Sequence, residues 1–324
     1  MKILSIVGLA LLILACKKET TAPHKPPIPY AYDWFNHLPF VTQYGTFNMP
    51  ITSLYSPYPE IKGEVNLSEA SGIAFSRVNS GKLWAHNDSG HPNTLFLIDT
   101  ATAEIVASYN VLGTVNIDWE DMEVAYGPIP GRSYIYVGDI GDNNERRPSY
   151  DVYRFEEPVY DSSIHYRRLN VINDIAVDRI RFFYPDKSHD CEALMVDPAT
   201  KDIYLATKRD AVSMLFVLPY PQKLEGLADC FHVGNFSFRE ASAGSISMDG
   251  QKVLIKNRQE IFYWERADVV MPLWQLLAQT PVKAPYAGEP QGEAICFDPQ
   301  NHYYTLSEAL NSFIKPNLYK YYLN

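Results

Sequence analysis

Three features of the sequence predict an all-β protein built as a ring of repeated four-stranded units. A short motif recurs five times along the chain, each copy is followed by a turn signal and a second apolar run, and the copies stand at repeat-like intervals. The copies begin at Ser68, Asp118, Asp190, Ala243 and Gly292, and their aligned apolar residues are Ile73, Met122, Leu194, Ile246 and Ile295. The steps between those residues are 49, 72, 52 and 49. Short strands separated by Gly, Asp and Pro turns mark an all-β repeat, and about 50 residues with four strands is the size of one propeller blade. The predicted fold is therefore a five-bladed β-propeller, with six blades as the alternative.

The elements follow in order. The turns after each first strand are Asn79-Ser80-Gly81, residues 128–131, Asp197-Pro198, Asp249-Gly250 and Asp298-Pro299. Second strands are expected at 83–88, 135–140, 203–208, 253–258 and 303–308, and third strands at 94–99, 150–155, 213–218, 261–265 and 317–323. Fourth strands fit at 105–111, 178–184, 230–238 and 282–286. The fifth unit runs out at Asn324 after its third strand, so a segment within 51–65 is expected to supply the missing strand and close the ring. An extra element has room in the step of 72 and in residues 30–50.

Ahead of the ring, residues 1–15 have Lys2 and then an apolar run from Ile3 to Leu14, too short to span a membrane and suited to a signal peptide. The run ends in Ile13-Leu14-Ala15-Cys16, which resembles the bacterial lipobox. That resemblance implies cleavage before Cys16, lipidation of its thiol, and residence in the cell envelope, at the periplasmic or surface face of the outer membrane. Residues 16–50 are expected as a lipidated, proline-rich tether and lead-in, and 51–324 as the propeller.

A net charge of −10 argues against a nucleic-acid partner. The cysteines beyond Cys16 are Cys191, Cys230 and Cys296; an odd number without C-x-x-C spacing reads as small buried hydrophobes. No G-x-S-x-G, H-E-x-x-H, P-loop or dinucleotide fingerprint is present.

The motifs S-E-A-S-G-I-A (68–74), H-N-D-S-G (86–90), D-W-E-D-M (118–122) and Y-V-G-D-I-G-D-N (136–143) resemble a group of secreted bacterial propellers, similar to the SdiA-regulated and esterase-like phytase propellers. The resemblance is densest over residues 65–160. It implies the fold and an exported location, and no particular reaction.

Geometry turns the repeat into a site. The first strand of a blade lines the central channel, so equivalent positions converge on one axis. One aligned position reads Ser71, Glu120, Glu192, Gly244, Glu293, and two residues earlier, on the same strand face, stand Glu69, Asp118, Asp190, Ser242 and Gln291. Crowded carboxylates protonate or bind a cation, and an oxygen-rich set suits Ca²⁺ or Mg²⁺. The candidate metal ligands are Glu69, Asp118, Glu120, Asp139, Asp190, Glu192 and Glu293. Lys208, Arg209, Arg258, Asn87 and Asn257 at the same mouth are candidates for holding a small anionic ligand. His86 is the candidate general base. Asp121 is expected to face away from the channel, into a neighbouring turn.

The expected function is cation-assisted ligand binding at this mouth. Alternatives are a metal-dependent phosphoesterase or lactonase-like hydrolase, and a glycan- or protein-interaction scaffold using exposed tyrosines and tryptophans. Structural ion pairs, such as Glu192 with Lys208 or Glu293 with Arg258, account for the same residues without a ligand. The loop 138–147 reads equally as an oxygen-ligand loop or an Asx-rich turn.

Overall fold

A computed structural model describes residues 32–309, 311 and 315–324. The expectations for the signal run, Cys16 and the tether up to residue 31 lie outside these residues. Five separate sheets form the molecule, one per repeat. Their inner strands are Ala70–Phe75, Trp119–Tyr126, Cys191–Val196, Ala243–Ile246 and Gly292–Phe297, and each pairs antiparallel with the next strand of its own blade. The five-bladed propeller is what the repeat predicts.

Strand alternation explains why the blades stack. Five apolar clusters are present, one at each blade–blade interface. On the inner strand of blade three, Leu194 and Val196 pack toward blade two, while Ala193 and Met195 pack toward blade four. Each inner strand is thus buried along almost its whole length. Fully buried Leu, Ile or Val side chains contribute roughly 1.5–3 kcal/mol each. The free thiols Cys191 and Cys296 are among the buried residues, with Cys230 half-buried, as the small-hydrophobe reading expects.

The ring closes where expected. Glu60–Glu64 pairs antiparallel with Asn317–Tyr321 and becomes the outermost strand of blade five. The step of 72 holds no sixth blade. It contains a one-turn helix, Ser162–His165, and a strand, Leu169–Ile172, that adds parallel to Ile105–Val111 as a fifth strand of blade one.

The lead-in also differs from a loose tether from residue 32 onward. Trp34 is buried in the interface between blades three and four. Phe40–Val41 pairs parallel with Gly234-Asn235 on the outer edge of blade three. Ile51 then bridges to Lys283 on blade four, and Tyr55 to Leu323 beside blade five. The segment is a belt that runs around three blades before closing the ring. Belts of this kind cover strand edges that would otherwise be open to pairing.

Candidate functional site

The acids reach the mouth through a defect repeated in the ladders. Register shifts fall between Ala70 and Gly72, Trp119 and Met122, Cys191 and Ala193, and Gly292 and Ala294. The residues skipped are Ser71, Glu120 with Asp121, Glu192 and Glu293. The ring position is a β-bulge in four of the five blades, and a bulge re-aims its side chain out of the normal alternation. Glu120, Glu192 and Glu293 are all nearly fully buried as a result.

On one side of the mouth the acids are neutralised by basic residues. Lys208 Nζ forms an ion pair with Glu192 and lies 3.4 Å from Glu293 Oε2. Arg258 Nη2 stands 3.3 Å from Glu293 Oε1. Arg209 Nε lies 2.6 Å from Asp190 Oδ2, while Asp190 Oδ1 accepts the Asp142 N–H at 2.7 Å. Burial works to lower the Lys208 pKa, but Glu192 and Glu293 outweigh it and the value rises. Lys208, Arg209, Asp210, Arg239, Glu240 and Arg258 line a cavity of about 490 Å³ between blades three and four.

The other side is different. Oxygens of Asp88, Asp118 and Glu120 lie within 4.8 Å of one another, and Glu120 also belongs to a second such group with Asp190 and Glu192. Burial, then the nearby Asp88, pushes Asp118 up to about 6. Burial and Glu192 push Glu120 well above the ordinary carboxylate range. At the rim, burial and Glu293 raise Glu308 to about 7. The Ser71 hydroxyl donates to Glu120 Oε2 at 3.2 Å.

Gly141 permits this convergence. A Cβ there would sit 2.2 Å from Glu120 Oε1 and 2.6 Å from Asp118 Oδ2. Because the obstructing atoms are ends of side chains, Gly141→Ala is expected to fold but to splay the two carboxylates apart. Circular dichroism should match the wild type while any affinity for Ca²⁺ falls at least about tenfold, the effect of about 1.4 kcal/mol. Unchanged affinity would show that the acid pair holds no cation.

Several expected site residues lie elsewhere. Glu69 precedes the inner strand and is exposed at the rim, where its Oε2 lies 2.6 Å from His91 Nε2. Asp139 is buried, but it is held by Arg147 at 2.9 Å and accepts the Asp118 N–H at 3.0 Å. His86 is fully buried, edge-on to Trp119, with Nδ1 3.1 Å from the Asn87 carbonyl. Burial holds its pKa down at about 4. It cannot meet a substrate at the mouth, so the general-base expectation is withdrawn. Asn257 Oδ1 caps its own turn by accepting from Gln259 N and Glu260 N, and Asn87 Oδ1 accepts from Glu69 N at 3.4 Å. Loop 138–147 is held by an Asp side chain on its own backbone: Asp142 Oδ2 accepts the N–H groups of Arg146 and Arg147, each at 2.6 Å, and the Tyr150 hydroxyl.

Asp121 is the largest correction. Instead of facing away, it spans the axis. Oδ2 accepts Leu194 N of blade three at 2.8 Å and Gly244 N of blade four at 3.0 Å, and Oδ1 accepts its neighbour Met122 N at 2.8 Å. Two residues on, Glu123 Oε2 accepts from Ser245 Oγ and Ile246 N. The strict alternation assumed from sequence fails because the bulge intervenes. Asp88 completes the acid group without having been a candidate ligand; its signal is its place at the end of the expected second strand 83–88, beside the start of the first.

No family model matches the chain, and no curated protein matches it. Among solved structures, the chain is similar to one in a nidogen–laminin complex, with 9% identity over 74% of this chain and 73% of that one and a TM-score of 0.42. The propeller assignment rests on the strand order of the five sheets.

Proposed function

We propose that this protein is an exported, lipid-anchored binding protein whose acidic mouth takes a divalent cation, Ca²⁺ or Mg²⁺, and through it a small anionic ligand. One contrast carries the reading. Among the described residues, Glu69, Asp139, Asp190, Glu192 and Glu293 each have a basic side chain within ion-pair distance. Asp88, Asp118 and Glu120 converge on one point without one. Their donors are all carboxylate oxygens, which suit a hard cation and not zinc. The basic wall across the mouth gives an anion somewhere to rest, because Arg209 and Arg258 keep about half of their side chains exposed. Hydrolysis of a phosphoester or lactone would have to proceed without His86, and a turnover panel with Ca²⁺ present checks that reading separately.

Calorimetry with Ca²⁺ and with Mg²⁺ tests the proposal. Saturation at about a hundredfold excess over Kd should stabilise the fold by about 2.7 kcal/mol. Asp118→Asn should abolish both heat and stabilisation. A wild-type chain giving no heat and no rise in Tm with either ion would remove the cation.

The pH dependence has a definite sign. Asp118 titrates near 6 in the fold and is raised above its ordinary value. The protonated form favours folding, so this group's stabilisation is complete below the ordinary carboxylate pKa and is lost as pH rises through about 6. Cation binding needs the ionised form. Affinity should therefore fall by about tenfold between pH 7.5 and pH 5, since one pH unit below a pKa leaves about a tenth of the group ionised. Affinity that is flat across that range would exclude Asp118 as a ligand.

A further inference from the structure

The belt carries a second surface. The four most exposed large apolar side chains among the described residues are Phe47 (92%), Leu38 (85%), Phe35 (82%) and Tyr58 (82%), and all four lie on it. Three of these, with the exposed Val41, fall within thirteen residues of the belt, and its Phe40–Val41 segment lies on the outer edge of blade three. Phe40 turns inward: its ring lies 5.6 Å from Phe236 and over Gly234. Alternation then sends Val41 outward. The Phe35 ring stands 5.0 Å from Phe231, at the other end of the same edge strand. Along the sequence these exposed side chains make one apolar stripe of the belt.

We propose that this stripe docks on a lipid bilayer. The inference rests on the reading of Cys16 as a lipidated residue. Tyr32 stands sixteen positions after Cys16. At no more than about 3.6 Å per residue, the start of the belt stays within about 60 Å of the anchoring membrane. Among the described residues, those of the apolar stripe are among the nearest along the chain to the anchor. Apolar side chains dipping roughly 5–10 Å into the headgroup boundary add a second attachment to a lipid chain and fix orientation. With the outer edge of blade three against the membrane, the channel axis lies along the bilayer plane and both mouths stay open to solvent.

The test uses the lipidated chain purified from membranes and reconstituted into phosphatidylethanolamine/phosphatidylglycerol vesicles with brominated acyl chains. Leu38→Trp and Phe47→Trp report on the stripe, and Leu169→Trp, exposed on the outer edge of blade one, is the control. Docking predicts quenching at positions 38 and 47 at least roughly twofold greater than at 169, given the burial depth expected of such anchors. A chain that floats with the vesicles but shows equal quenching at all three positions overturns docking and leaves the anchor standing. A chain that does not float overturns both. A vesicle-free dimer that shields Leu38→Trp and Phe47→Trp from a soluble quencher would assign the stripe to a second copy and overturn docking.

Discussion

Replacing Asp121 with alanine is expected to destabilise the propeller by on the order of 4 kcal/mol, because buried donors left without a partner cost about 1–3 kcal/mol each. Asp121 is fully buried and accepts N–H groups from Met122, Leu194 and Gly244, which belong to three different blades. No other described carboxylate of the mouth holds backbone donors from two neighbouring inner strands. Burial pushes its pKa well above the ordinary range, and the three N–H groups oppose that push. Asp121→Asn keeps one acceptor oxygen and should lose less than half as much. A fall in Tm of roughly 10 °C for the alanine variant is the scale to look for. If alanine at 121 melts within about 2 °C of wild type, which corresponds to less than about 1 kcal/mol, the axial pin contributes little and apolar packing alone fixes the inner strands.

The second large effect concerns Arg266, whose side chain is buried together with its partner Asp197. Nη2 lies 3.1 Å from Asp197 Oδ1 on blade three, and Nε donates to the Gly250 carbonyl at 2.7 Å within blade four. Breaking one side of a buried pair typically costs about 3–5 kcal/mol, since the remaining charge has no solvent to turn to. Arg266→Met should approach that range. Combining it with Asp197→Leu should recover part of the loss, because apolar side chains can replace a buried ion pair with little net change. Arg132→Met is the comparison: its pair with Glu156 is exposed at both ends, and urea unfolding should barely move. Equal midpoints for Arg266→Met and Arg132→Met would show that burial adds nothing to the blade three–blade four pair.

The repeat was legible because propeller blades reuse one pattern of apolar and turn residues. Met122, Leu194 and Ile295 stand at the same place in their ladders, opposite Val137, Leu205 and Thr305. Third strands at Thr94–Asp99 and Ile261–Glu265 fall where the turns place them. The fate of the acids was only half legible. Sequence places them at the mouth, but counting by twos cannot see a bulge, and the bulge decides that Asp121 crosses the axis while Glu69 remains outside. His86 misled for another reason. Its neighbours Asn87 and Asp88 are polar, yet alternation turns the ring toward Trp119 and into the core. The belt was least visible. Residues 33–58 have no repeat partner in the chain, and a two-residue parallel contact such as Phe40–Val41 leaves no periodic trace.

The ring closure also sets an order of events. Among the described strands, Glu60–Glu64 is one of the first to leave the ribosome, yet its ladder partner, Asn317–Tyr321, is one of the last. This strand must wait for most of the described chain before it can pair. Joining ends this distant carries a loop-closure entropy that rises only slowly with length, so the delay is a matter of time more than of stability. Throughout that wait the first and fifth blades lack their mutual apolar interface, which includes Ile73, Phe75, Cys296 and Tyr304. A chain that emerges vectorially therefore spends its synthesis as an open arc, and becomes a ring in a single late step.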